Sequence, residues 1–538
     1  MFLQVFFAVH LNREFYREHA PFFDSCAYSI QMVQVARLTQ SDGVAAGIKS
    51  ALSGNVALPF LETVAASTVG LPDRTFGIWL QWIWLVALAL SLYWYLKRYR
   101  GASPTVALCL VLPLISFSRI YDWNGGLPDF RMDLSLYIFV GITVVWFLVT
   151  YETDDTWPWM LAGMAAGLAC LGRATAPIYL LMMIGPLLAI RFIYDQNRVR
   201  LLRNCLIMAL PITIAVFVFL VHNFDNLYFY YVLWSPDANR HLPLRESATH
   251  FLFAGLHMGF SGARLALVAL AIQLIVRWRW KVTDFDWRLV WLAAAAPLFL
   301  ALRGAGLNGF VSMPAMLGLL LFPLIPFRKG PLLPAAPQLQ AAICLIACGV
   351  AGVGIYEASH GQFLSGTNPT SMVAMKEILN RMSAVAGTRS DKTVQYVMPV
   401  VGEMHGCSIQ NVLRFNYGAT AVAGGFKSDT GVIFIFPRED AFAASDQFLW
   451  ARSMPNLTEE QRMSELVVLA MKNADGPVLP TTRGLAFLER ERPYNLINLK
   501  FRELEARLLA TGAWQAVGDP VDFSAEEQYC IYRRTVGR

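Results

Sequence analysis

Acids and arginines gather in the segments between the chain's long apolar blocks, and their chemistry is the first thing to account for. Asp24 stands in a polar stretch that follows a short apolar start. SRIYDWNGGLPDFRMD carries Asp122, Asp129, Arg131 and Asp133, and GRATAP carries Arg173. A later segment carries Asp225, Asp237, Arg240, His241 and Arg245. A carboxylate beside a membrane is costly unless it has a partner or a task. Arginines offer a planar fork of donors to phosphate oxygens, so such a group can hold an anionic headgroup while the lipid tail stays in the bilayer. A nearby carboxylate can then take the proton of an acceptor hydroxyl or amine as it attacks an activated carbon, which is general-base catalysis. The alternative is that each charge only keeps its loop in water and the spans in register.

What positions these residues is a membrane-embedded scaffold. The 538 residues are 56% hydrophobic and only 15% charged, with a mean hydropathy of +0.45, and the apolar residues come in long blocks. That composition excludes a soluble protein of this size. Spans are expected at roughly 76–96, 103–119, 133–150, 158–172, 175–193, 204–222, 251–277, 288–303, 305–326 and 338–356. The net charge of +6 is small for the length and gives no reason to expect nucleic acid. Its distribution orients the chain: Lys97 to Arg100, Arg191 to Arg203, Arg277 to Lys281 and Arg328-Lys329 fall on alternate connections, as cytoplasmic loops require. Outer loops are then 11–75, 120–132 and 223–250, with a tight turn at Gly172-Arg173-Ala174. Tyr151 to Trp157 (YETDDTW) should lie inside yet is acidic. Met1 to His10 is apolar but too short to cross, which reads either as a truncated first span, the favoured reading, or as a short interfacial helix. The first outer loop divides into a polar part at Asp24 to Ser29, a helical stretch near Gln31 to Leu52, and a semi-apolar piece, Asn55 to Gly70, suited to the membrane surface.

Beyond the last span the composition is that of a soluble domain. Strands are expected at TVQYVMPV (393–400), GVIFIFP (431–437) and QYCIYRR, with helices near Met372 to Ala384, Thr458 to Met471 and Leu499 to Ala510. This reads as a small α/β domain with a three- to five-stranded sheet, outside the cytoplasm by charge counting. Of eight cysteines, Cys109, Cys170, Cys205, Cys344 and Cys348 lie in spans as ordinary packing residues. Cys26 is in the first outer loop, and a Cys407–Cys530 disulfide is open in an oxidising compartment. No CxxC or HExxH pattern indicates zinc, and no Walker or GxGxxG motif indicates a nucleotide-driven pump. There is no inverted repeat of broken spans of the kind that marks secondary transporters. A flippase or transporter for a lipid-linked glycan, or a membrane scaffold, is the competing class. A flippase should place ionisable groups in mid-span, whereas here they cluster at the outer ends.

The chain resembles the GT-C superfamily of polytopic glycosyltransferases that use polyprenyl-phosphate sugars, especially bacterial relatives of protein mannosyltransferases and of the lipid A aminoarabinose transferase. The resemblance rests on Pro21-Phe22-Phe23-Asp24-Ser25-Cys26-Ala27-Tyr28, similar to the family's first-loop signature of an Asp with a Tyr a few residues on. It rests also on GNVALPF (54–60), where the family often has a Pro-led helix, on Gly125 to Asp133, and on Gly172-Arg173-Ala174-Thr175. Ser25 stands where the family frequently has Glu. The resemblance implies a GT-C-like membrane module over 1–356, with about 10–12 transmembrane helices, and an extracytoplasmic α/β domain over 357–538. It implies Asp24 as catalytic base, and Arg131 and Arg173 are assigned as phosphate contacts from their fork of donors. Tyr28, Asp129, Asp133, Arg240, His241 and Arg245 are then substrate-pocket candidates. The first-loop Asp is a metal ligand in some branches, so a divalent metal stays open. The partners implied are a polyprenyl-phosphate sugar donor, membrane lipid and an extracytoplasmic acceptor. The location implied is the bacterial inner membrane.

Overall fold

The computed structural model describes residues 24–54, 56–70, 74–117, 120, 132–228, 287–302, 320–321 and 337–360, and beyond them chiefly the strands of a C-terminal sheet. Asp129, Arg131, Arg240, His241 and Arg245, the block 251–277, most of 305–326, Cys407 and most of the expected C-terminal helices lie outside the described residues. The chain divides into two compact units, one of Met1–Leu11 with Gln31–Leu364 and one of Asn12–Ile30 with Ser365–Arg538.

The described helices are α1 (Asp24–Ser41), α2 (Val44–Leu52), α3 (Leu58–Thr68), α4 (Arg74–Tyr99), α5 (Pro104–Ile115), α6 (Met132–Val149), α7 (Trp157–Gly172), α8 (Ala176–Tyr194), α9 (Arg198–Tyr228), α10 (Trp287–Leu302) and α11 (Pro337–His360). Three of them contain stretches long and apolar enough to cross a membrane, Trp79–Tyr99, Ala176–Tyr194 and Arg198–Asp225. Shorter apolar stretches occupy α5, α6, α7 and α11. The first outer loop differs from expectation at its start, because Asp24 begins a helix instead of lying in a loop. The helix then breaks at Gly43, whose φ of 92° favours glycine, and resumes as α2. Pro59 lies in the first turn of α3, where its missing N–H costs nothing.

Close packing of the bundle centres on α7. Its Gly163 and Gly167, four apart, let α9 approach until a Cβ at Gly163 would overlap the Met208 carbonyl oxygen and lie 2.9 Å from Met208 Cα. A Cβ at Gly167 would lie 3.0 Å from the Pro211 oxygen. Between helices in lipid, van der Waals contact replaces the hydrophobic drive, so small residues at four-residue spacing set the approach.

One end of the bundle resolves the acidic loop that fitted the charge pattern poorly. Glu152 lies 3.8 Å from both Arg100 and Arg288, and Asp154 lies 2.9 Å from Arg200. Arg191 donates to Thr150 Oγ1 at 3.1 Å, and the Tyr151 ring faces the guanidiniums of Arg191 and Arg288, each 4.5 Å from its centroid. Glu152 and Asp154 therefore pair with Arg100 and Arg200 of the expected inner connectors and with Arg288 at the start of α10, all at one end. Trp94, Trp146 and Trp157 pack together at the same end, with centroids 5.0–5.6 Å apart.

The opposite end carries the outer-loop helices. The Ala57 N–H donates to the Leu171 carbonyl at 2.9 Å, joining the start of α3 to the end of α7. Asn223 Nδ2 donates to the Leu52 carbonyl, joining the end of α9 to the end of α2. At α11, a Cβ on Gly354 would overlap the Ser116 carbonyl at the end of α5. Since α5 runs away from Arg100, α11 ends on the face that carries α2 and α3.

In the second unit, the described strands are β1 (Val394–Val397), β2 (Val432–Ile435), β3 (Leu466–Met471), β4 (Trp514–Ala516), β5 (Val521–Ser524) and β6 (Glu527–Arg534). They form a mixed six-stranded sheet in the order β2-β1-β3-β6-β4, with β5 also on β6. β1 pairs parallel with β2 and β3, whereas β6 is antiparallel to its neighbours. The helix expected over Thr458 to Met471 is corrected at its end, where LVVLAM is a strand. With β1 on one side and β6 on the other, a continuous apolar run with adjacent valines suits an interior strand.

Candidate functional site

Asp24 is the first residue of α1, and Tyr28, one turn later, is buried. The buried face of α1 runs from Tyr28 through Met32, Val35, Ala36 and Thr39. Asp24 and Tyr28 group with the second unit and Arg173 with the first. Within the first unit, Gln31 and Phe60 crowd Gly54, so the remainder of α1 packs on the α2–α3 segment.

Arg173 terminates α7 in an extended conformation, half-buried, and its carbonyl accepts the Ala176 N–H at 3.0 Å. It stands two residues beyond Leu171, whose carbonyl holds the start of α3. A Cβ on the adjacent Gly172 would lie 3.7 Å from Leu58 Cδ2 and 3.9 Å from the Leu136 nitrogen. The start of α6, which carries Asp133, thus runs beside Arg173. Of the residues expected at the site from sequence, Arg173 and Asp133 are placed on neighbouring backbone, at the end of the bundle opposite Glu152.

Sequence reasoning missed the most perturbed group there. Glu62 of α3 is 5% exposed. Trp84 Nε1 of α4 donates to its Oε1 at 2.9 Å, and Oε2 has no partner. Burial pushes the Glu62 carboxyl from its ordinary 4.5 up to about 8, and the indole hydrogen bond offsets only part of that. Around neutral pH this carboxyl is therefore mostly protonated and able to donate. Near it on α4, both amide atoms of Gln81 are buried without a partner, as is Ser135 Oγ on α6. The available signal was Glu62 as the single charge in LPFLETVAAST, a residue that an apolar helix has no reason to carry without a use.

Among the described residues no group of three or more His, Cys, Asp or Glu could hold a metal ion. A concavity lined by Ile193 to Val199 lies at the connection between α8 and α9, at the other end from Arg173 and Glu62.

No protein-family model matches the chain, and no curated protein sequence matches it. Its fold does match solved structures. Two crystal structures of ArnT from Cupriavidus metallidurans, one apo and one bound to undecaprenyl phosphate, superpose with TM-scores of 0.54 and 0.52 at 11% identity. Each alignment covers 98% of this chain and 97% of that one. The chain therefore shares its fold with these ArnT structures over nearly its whole length.

Proposed function

We propose that this chain is an integral membrane glycosyltransferase that moves a sugar from a polyprenyl-phosphate-linked donor to an extracytoplasmic acceptor. The observation that carries the reading is the likeness to ArnT over nearly the whole chain, including a structure of that protein with undecaprenyl phosphate bound. In the mechanism, Arg173 and Arg131 hold the donor phosphate by charge-assisted hydrogen bonds and stabilise the charge that builds on it as it leaves. Asp24 takes the proton of the acceptor hydroxyl or amine as that atom attacks the sugar carbon bound to phosphate. Tyr28, Asp129, Asp133, Arg240, His241 and Arg245 contribute to the pocket for sugar and acceptor.

We place the outer loops and residues 357–538 on the periplasmic side of a bacterial inner membrane. Two features support this orientation: the described basic connectors, 97–100 and 191–203, reach the same end of the bundle, and α11 ends at the other. The test is transfer of radiolabelled sugar from polyprenyl-phosphate donors by purified protein in lipid. Transfer to an added or co-purified acceptor supports the reading. Absence of transfer across a panel of donors, together with vectorial movement of the same lipids, would favour a flippase.

A further inference from the structure

The outer ends of α4 and α6 face each other in a fixed register. Trp84 meets Phe139 at 5.2 Å between ring centroids, a Cβ on Gly141 would lie 3.0 Å from Leu88, and Trp94 meets Trp146 at 5.1 Å. The pairings advance together along both helices, so α4 and α6 run parallel. Gln81 is three residues before Trp84, and Ser135 is four before Phe139, which puts each one turn outward on the face that makes the contact. Gln81 and Ser135 therefore lie at one level in the α4–α6 seam. The Glu62 carboxyl reaches the same place from α3, held by the Trp84 indole. Four polar atoms of these residues, Glu62 Oε2, both amide atoms of Gln81 and Ser135 Oγ, are buried without partners, and the helix register brings the residues to within about one turn of each other. Such atoms are costly to bury unless something bonds them, and three independent side chains at one level mark a place built to bond a guest.

We propose that Glu62, Gln81 and Ser135 form an uncharged hydrogen-bonding subsite that receives the hydroxyl groups of the donor's sugar. The proposal rests on the donor reading given above. The chemistry fits a neutral polyol better than an ion. A protonated carboxyl donates, an amide donates and accepts, and a hydroxyl does both, so the subsite can match several sugar hydroxyls without fixed charge. Burial keeps Glu62 in the donating form near neutral pH. The phosphate itself belongs to the arginines, so the subsite sorts donors by their sugar and contributes little to binding of the lipid phosphate.

The test is displacement of radiolabelled undecaprenyl phosphate from the purified full-length chain. The competitors are undecaprenol, undecaprenyl phosphate, and undecaprenyl phosphate carrying glucose, mannose, galactose or arabinose. In the wild type at least one sugar-bearing lipid should compete about tenfold better than the sugar-free phosphate. Glu62→Leu, Gln81→Leu and Ser135→Ala should each remove most of that advantage while leaving competition by the sugar-free phosphate unchanged. Glu62→Gln, which stays neutral and hydrogen-bonding, should retain it. The subsite is overturned if no sugar improves competition in the wild type, or if the advantage survives the three disruptive substitutions because water alone fills the seam. Undecaprenol competing as well as undecaprenyl phosphate would instead overturn the donor reading, and the subsite with it.

Discussion

Replacing Glu62 by Gln should stabilise the protein above acidic pH and remove part of its pH dependence. The folded state holds the Glu62 proton up to about 8, whereas the unfolded chain releases it near 4.5. Between those values the native state binds one more proton than the unfolded state, so stability falls as pH rises, by about 1.4 kcal/mol per pH unit. Below the window both states are protonated and above it both are ionised, so the slope vanishes at either end. From 4.5 to about 8 the loss sums to roughly 5 kcal/mol as an upper bound, since water entering near an ionised carboxylate lowers its cost. Gln keeps the Trp84 hydrogen bond and the volume but has no proton to lose. The assay is thermal melting of wild type and Glu62→Gln in one detergent, from about pH 5 to about pH 9. Subtracting the curves cancels every other titrating group. The advantage of the variant should be small near pH 5, grow to about pH 8 and then level off. Parallel curves, or a wild type that gains on the variant as pH rises, would show that Glu62 is already ionised in the fold and refute the reasoning.

At the α7–α9 contact, Gly163→Ala should lower the melting midpoint by the equivalent of about 1–3 kcal/mol, because the new methyl meets backbone that cannot rotate away. Gly352→Ala, where nothing lies within 4 Å of the new methyl, should be neutral or stabilising in the same assay. Glu152→Gln withdraws the carboxylate 3.8 Å from both Arg100 and Arg288 and should cost roughly 2–3 kcal/mol in thermal or detergent unfolding. Pairing it with Arg288→Gln should recover part of that loss. Alkaline phosphatase fused after Arg538 should be active in cells, and a bright cytoplasmic reporter at the same position would reverse the orientation.

The spans were legible because length and apolarity are local properties: α4, α8 and α9 fall where the hydropathy put them. The Pro-led α3 was anticipated only through the family resemblance at GNVALPF, and Pro59 in its first turn fits it. What escaped depends on partners distant in sequence. YETDDTW looked misplaced because the arginines that pair with its acids, Arg100, Arg200 and Arg288, come from two other connectors and the start of α10. Glu62 looked ordinary because its importance lies in burial against Trp84, 22 residues away, and beside a seam formed with α6. LVVLAM followed a polar stretch of helical pattern, and only its neighbours β1 and β6 make it a strand. Asp24 and Tyr28 were paired only through the family resemblance, and the helix that carries them was read as a loop because Asp24 to Ser29 is polar.

The central claim is tested most directly by Asp24→Asn, which keeps the size and much of the hydrogen bonding of Asp24 but cannot take a proton. Purified wild type and variant are compared for transfer of labelled sugar from a polyprenyl-phosphate donor, with donor affinity measured alongside. The account predicts turnover lower by roughly 10²–10⁴-fold with donor affinity retained. Undiminished transfer by the Asn variant would contradict it and remove Asp24 from the mechanism.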